Sequence, residues 1–323
     1  MSRWFVKGAF LAFFVASCVN LFRFAAWARG QGPYVPRPEA PAGILPVGHF
    51  TSFFAWVRGG GWDLLLPAGL VIIIGALALS LLLKRGFCAW ICPIGTVWQG
   101  FAALGRKLIG KNCRPQRWLD LGLRGGRYAI TAAFLFFLFS VPIAEAVGFR
   151  ELPYMWVADL KTLTTMGEPL YLVIILLAGV VSMLLGPVWC RYLCPLGGLY
   201  GALGVLSPVW VQRNATTCIN CRKCTKTCHA FIDVHKAPDG HAPEGDGGRA
   251  GGRAGPVDGC LEPTIVGRRR FPYWVVPVAA VAVWLAIYGA AKATGNWDTR
   301  IPAQVFQQVI NSGLLESKTP TGF

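Results

Sequence analysis

Five blocks of apolar residues, each near or above the about 20 residues that cross a bilayer core, constrain this chain more than any other feature. They run from Phe5 to Trp27, Asp63 to Leu83, Tyr128 to Val147, Pro169 to Pro187 and Pro272 to Ala293, with short, basic, Gly- and Pro-rich connections between them. Lipid offers a backbone amide no partner, so runs such as LLLPAGLVIIIGALALSLLL and YLVIILLAGVVSMLLG are predicted to be helices, the first with a kink at Pro67. Composition agrees: 54% of residues are hydrophobic and 14% charged, where soluble chains carry about 25% charged residues. The expected fold class is an all-α integral membrane protein of about five transmembrane helices, which excludes a soluble enzyme and a mainly disordered chain. The net charge of +16 is no nucleic-acid signature, because the basic residues cluster beside the membrane blocks. The segment after the first block, GQGPYVPRPEAPAG, lacks a small-x-small cleavage site, so that block reads as an uncleaved anchor.

Basic residues set the expected orientation in the inner, cytoplasmic membrane of a cell. With the N-terminus inside, that side holds 22 of the 31 Lys and Arg residues. The predicted topology therefore has a cytoplasmic N-terminus and a periplasmic C-terminus.

A repeat underlies this arrangement. Residues 87 to 98 read FCAWICPIGTVW and residues 189 to 200 read WCRYLCPLGGLY, each directly after a long apolar block. The repeating unit is a span capped by CxxxCP, and two parallel copies place both cysteine pairs at the same, inner face, related by a pseudo-twofold axis. Cysteines at i and i+4 share one helix face, and the proline that follows ends that helix or opens the next. Cys88, Cys92, Cys190 and Cys194 thus supply four soft thiolates, the number one iron–sulfur cluster requires. A redox-active dithiol, a transient metal site and plain packing in a tight helix junction fit the same spacing.

Further on, CINCRKCTKTC sets Cys218, Cys221, Cys224 and Cys228 in the order C-x2-C-x2-C-x3-C, the bacterial ferredoxin run for a 4Fe-4S cluster. Here His229 replaces the usual proline after the fourth cysteine, and no second complete run follows. Cys218, Cys221 and Cys224 are the expected ligands, with either Cys228 or the distant Cys260 closing the set. Zinc fits poorly, since three ligands crowd too closely for a tetrahedral site. Covalent haem fits worse, because CTKTCH is one residue longer than the attachment motif. Arg222, Lys223 and Lys226 would favour the more negative reduced cluster. Of the eleven cysteines, all but Cys18 fall on the face assigned as reducing, so metal-ready thiols are expected rather than disulfides. Cys18 and Cys113 read as ordinary packing or surface residues, and His235 and His241 as solvated.

The domains expected are residues 1–62, an N-terminal helix and outer loop; 63–212, a membrane core with both CxxxCP repeats; and 213–236, the ferredoxin-like segment. Residues 237–271, nearly free of apolar side chains up to Gly259, form a flexible linker carrying Cys260 and a basic stop. Residues 272–323 supply a last span and an outer tail.

Taken together, the paired CxxxCP motifs at Cys88/Cys92 and Cys190/Cys194, followed by the CxxCxxCxxxC run from Cys218 to Cys228, resemble the membrane-bound ferredoxin-type proteins of the NapH, MauN and NosR kind over roughly residues 60 to 293. The resemblance implies a quinol dehydrogenase or electron conduit feeding respiratory and periplasmic redox enzymes. This chain departs from the pattern in lacking the second cluster run. A quinol site needs an apolar cleft with a proton acceptor near a one-electron centre. The outer-side candidates are His49, Glu145, Glu151 and Asp159, among aromatic residues Trp56, Tyr154 and Trp156 that suit the headgroup layer. Two other classes of function share the motifs: a metal-reductase or cofactor-maturation factor, and a redox-sensing regulator. The partners expected are membrane lipid, the quinone pool and a redox protein, with no nucleic acid.

Overall fold

The computed structural model describes residues 3–44, 46–110, 112–113, 115–213, 218–221, 261–265, 269–272, 274–313 and 315. The chain is mostly helical. Helix α1 is Arg3–Ala28, α2 Pro46–Val57, α3 Pro67–Leu83, α4 Pro93–Ile109, α5 Arg117–Ser140, α6 Ile143–Glu151, α7 Pro153–Trp156, α8 Ala158–Met166, α9 Pro169–Leu185 and α10 Pro195–Leu203. After the strands β1 (Val209–Arg213), β2 (Leu261–Ile265) and β3 (Arg269–Arg270) come α11 (Val275–Ala293) and α12 (Ala303–Asn311). The first cysteine of each pair lies in a short π turn, Phe87–Ile91 or Trp189–Leu193, and the second follows that turn directly.

Prolines decide where the apolar blocks become helix. Pro67 opens α3 instead of kinking it: Asp63 accepts the amides of Leu65 and Leu66, both at 3.1 Å, and proline at the first helical position forfeits no hydrogen bond. The third block does not run on to Val147. Helix α5 begins at Arg117 and stops at Ser140, and α6 leaves at 95°, because Pro142 cannot donate and biases Val141 away from helix. Among the described residues, helices α1 and α11 are each long and apolar enough to cross a membrane, and counting the bent pairs α5–α6 and α8–α9 as one span each brings the number to four. Helix α3, at 17 residues, rises about 26 Å at ~1.5 Å per residue. On α9, Leu170, Ile174 and Leu177 are all exposed, a face that suits lipid rather than water.

The chain divides into two compact units. The first comprises residues 1–11, 76–134 and 175–285 and contains both cysteine turns. Its core gathers Val6, Leu79, Leu83, Trp90, Ile91, Val209 and Ala280 around the first turn. It also holds an antiparallel sheet ordered β1-β2-β3, with Val209 opposite Ile265 and Thr264 opposite Arg270. The sheet corrects the all-α expectation. Residues 261–265, read from sequence as the end of a linker, pair with the alternating VWVQR strand, whose β-branched residues suit a pleated surface.

The second unit comprises residues 12–75, 135–174 and 286–323. Its cores join Leu21, Phe24, Val157, Leu160, Phe306 and Ile310 in one cluster and Ala68, Val71, Ala291 and Trp297 in another. The tail after α11 thus folds back as α12, whose Phe306 meets Phe24 edge-on at 5.7 Å. Burying that ring contributes about 1.5–3 kcal/mol.

Candidate metal centre

The two CxxxCP segments fold alike, residue for residue. Each apolar helix ends in a left-handed residue, Lys84 at φ 56° or Gly186 at φ 89°. The chain then makes its π turn, closed by Cys92 N–H to Phe87 O in one copy and Cys194 N–H to Trp189 O in the other, both at 2.9 Å. Cys92 and Cys194 are N-caps, and the prolines after them open α4 and α10. Their sulfurs accept the amides of Gly95 at 3.3 Å and Gly197 at 3.4 Å. A backbone N–H at a helix N-terminus therefore faces each of these sulfurs, a setting that favours negative charge. The glycines allow a close approach of the backbone here. A Cβ on Gly95 would lie 3.3 Å from Cys88 O, and one on Gly197 3.1 Å from Cys190 O.

Proline creates a second requirement. In an α-helix the carbonyl of residue 89 would receive the amide of residue 93, and that of residue 191 the amide of residue 195, but both donors are prolines. An arginine fills each place. Arg3 Nε donates to Ala89 O at 3.3 Å, and Arg127 Nη1 donates to Arg191 O at 3.1 Å. The second turn has a further brace: Asp120 accepts Arg191 through both carboxylate oxygens, at 2.7 and 2.8 Å, and the Tyr192 hydroxyl at 2.6 Å.

Aromatic contacts show the pseudo-twofold relation directly. Trp98 of the first copy stacks on Trp189 of the second at 6.2 Å, while Tyr200 of the second meets Phe87 of the first at 6.0 Å. Trp98 and Tyr200 are equivalent positions, as are Phe87 and Trp189, so the contact is reciprocal, as twofold packing requires. Helix α4 also packs closely on α9: a Cβ on Gly105 would run into the carbonyl of Met183. Gly105→Ala should destabilise the protein by about 1–3 kcal/mol through this overpacking, read as a lowered midpoint in thermal unfolding in detergent.

The four turn cysteines are half-buried and share one neighbourhood. Burial pushes the Cys88 thiol up, and nearby Cys92, Cys194 and Cys190 push it further. Tyr200 is raised by burial and then by Cys88, Cys92 and Cys194. Among the described residues, no three His, Cys, Asp or Glu side chains converge on the position of a single metal ion. A cubane carries its irons at separate corners, so its thiolates surround a body wider than one ion. Four clustered thiols, amides aimed at two of them and cations behind both turns fit such a group. Of the ferredoxin run, Cys218 is half-buried and Cys221 exposed, with Asn220 between them at φ 57°. Cys224, Cys228 and Cys260, and the linker before Cys260, lie outside the described residues.

A family described as "4Fe-4S binding domain" matches this chain twice, over residues 65–112 and 168–214. Those segments are the two repeats, and the cysteines within them are Cys88, Cys92, Cys190 and Cys194. The protein YccM of Escherichia coli is 30% identical over 86% of this chain and 80% of its own length. This chain belongs to the ferredoxin-type electron-transport family. The ferredoxin-type protein MauN of Paracoccus denitrificans is 31% identical over 54% of this chain and 60% of its own. The regulatory protein NosR of Pseudomonas aeruginosa is 30% identical over 60% of this chain but only 27% of its own. No solved structure matches.

In this ferredoxin-type protein the outer-side candidates do not assemble into one site. Glu145 and Glu151 are exposed. His49 is buried, with Nε2 2.8 Å from Ala42 O. That carbonyl can only accept, so Nε2 carries the proton, and burial lowers the ring's pKa and keeps it neutral. Asp159 joins a buried ion cluster that sequence reasoning missed: Arg37 reaches Glu39 at 2.8 Å and Asp159 at 2.7 Å. Arg3, Lys7 and Arg127 were likewise read only as topology charges. The paired prolines were the available signal, because each announces a carbonyl in need of a donor.

Proposed function

We propose that this protein is a membrane-integral iron–sulfur carrier that moves single electrons between the quinone pool and a respiratory or periplasmic redox enzyme, as a quinol dehydrogenase subunit. The observation that carries this reading is the matched pair of CxxxCP turns, whose sulfurs cluster under amides and cations. In it, Cys88, Cys92, Cys190 and Cys194 hold one 4Fe-4S cluster, and Cys218, Cys221 and Cys224, completed by Cys228 or Cys260, hold another on the cytoplasmic side. When bound, such a cluster supplies a one-electron couple tuned by hydrogen bonds and local charge. The chain's own residues do the rest. The amides of Gly95 and Gly197 bond the Cys92 and Cys194 sulfurs, Arg3 and Arg127 hold the turns in shape, and the reciprocal aromatic pairs fasten the copies to each other. The quinone link and the N-inside orientation rest on the family resemblance and on the basic-residue count.

The test is anaerobic purification in detergent, followed by addition of a reduced quinone and observation of the cluster spectrum. Reduction of the clusters by the quinol is expected. Clusters that respond to dithionite yet stay oxidised with every quinol tried would remove the quinone pool from the proposal and leave the cluster assignment to stand.

A further inference from the structure

Each cysteine turn is backed by cations from a long helix that comes earlier in the chain. Lys7 on α1 is fully buried, and its Nζ donates to Gln99 Oε1 at 2.7 Å; Arg3 shares the same acceptor at 2.8 Å. Gln99 lies on α4, which opens at the cap residue Cys92. In the second copy Arg127 on α5 is also buried, donates to Arg191 O, and lies against the start of α10, where a Cβ on Gly198 would meet its Cγ at 3.5 Å. Thr131, one turn on, ties the Arg127 and Pro195 carbonyls with a single hydroxyl, 2.9 Å from each. Thus α1 and α5 play the same part for the two copies, and the repeat extends one helix beyond the span and the CxxxCP turn.

Resting on the four-cysteine reading above, we propose that Lys7 and Arg127 are positioning residues that set one positive charge beside each cysteine pair and so raise the reduction potential of the cluster held there. Reduction adds one negative charge to the cluster. A fixed cation nearby stabilises the reduced form more than the oxidised one, and strongly so where water is excluded. Arg3, which shares the Gln99 acceptor with Lys7, also reaches Ala89 O next to Cys88, and Arg127 bonds Arg191 O next to Cys190, so both cations lie at the cysteine turns. The arrangement explains why a lysine is buried on an apolar helix, where the hydrophobic effect alone would select leucine.

The test uses the full chain, purified anaerobically in detergent, as Lys7→Met, Lys7→Arg, Arg127→Met and Arg127→Lys, with iron and sulfide counts and a redox titration followed by electron paramagnetic resonance. In both Met variants one cluster should titrate at a lower potential, and Lys7→Met, which leaves both turn carbonyls their arginine donors, should keep the parent's iron content. Poised at the parent's midpoint, that cluster should be clearly less than half reduced. A signal from the ferredoxin run should not move, and the charge-keeping variants should titrate close to the parent. Unchanged midpoints in both Met variants with iron intact would overturn the proposal, as would Lys7→Arg shifting as far as Lys7→Met. If a Met variant loses its iron, retention of iron by the partner variant that keeps the charge supports the proposal, and equal loss in both overturns it. Unaltered iron in Cys88→Ala would instead remove the four-cysteine reading itself.

Discussion

Cys88→Ala and Cys190→Ala should each lose about four irons per chain, one whole cubane, when purified without oxygen. In the four-thiolate reading each cysteine holds one iron of the cubane, and alanine offers no donor in its place where amides and cations are arranged for negative charge. The two variants should lose the same amount because the copies are equivalent: each turn gives one cysteine within the π turn and one at a helix N-cap. Cys113→Ala provides the control. Cys113 is exposed and lies just outside the matched segments, so its iron content should equal the parent's. Iron and sulfide assays decide the matter. Full iron in both turn variants would return the CxxxCP pairs to packing or thiol chemistry and leave the ferredoxin run as the sole cluster site proposed.

The other large effect is expected far from any cysteine. Arg37→Met should destabilise the second unit by about 3–5 kcal/mol, because removing one partner of a buried ion cluster strands the charges left behind. Arg37, Glu39 and Asp159 side chains are only 5%, 2% and 3% exposed, so solvent screening cannot replace the lost guanidinium. Arg37 also donates to Trp156 O at 3.2 Å and stacks over Phe306 at 5.0 Å, tying α7 and α12 to the loop after α1. Arg37→Lys should recover only part of the loss, since an ammonium lacks the planar fork that serves two carboxylates at once. Thermal unfolding in detergent reads both variants. A midpoint for Arg37→Met equal to the parent's would show that the cluster contributes nothing net.

The contrast between the two sites reflects what kind of information each needs. Asp159 was visible in sequence as a carboxylate near the outer aromatic residues and was read as a candidate proton acceptor. Its role as half of an Arg37 clamp depends on Glu39 and Arg37, more than a hundred positions away in the chain, and no periodicity links them. For the same reason α12 was read only as an outer tail, although the AQVFQQVIN stretch places Phe306, Val309 and Ile310 on one helical face.

Local chemistry was legible throughout. Runs of apolar residues must be helical where lipid is the solvent, and the spacing of CxxxCP, with proline after the second cysteine, already dictates two sulfurs at a helix entrance. The recurrence of that unit at residues 87 and 189 foretold two like copies. What only the tertiary structure decided is how the copies meet and what surrounds them: Trp98 on Trp189 against Tyr200 on Phe87, Arg3 and Arg127 on the two carbonyls that proline leaves without donors, and the break at Pro142 that turns α6 away. Secondary structure follows from interactions a few residues apart. The charges and hydrogen bonds that equip a thiol cluster come from helices distant in the chain, and they exist only once those helices have packed.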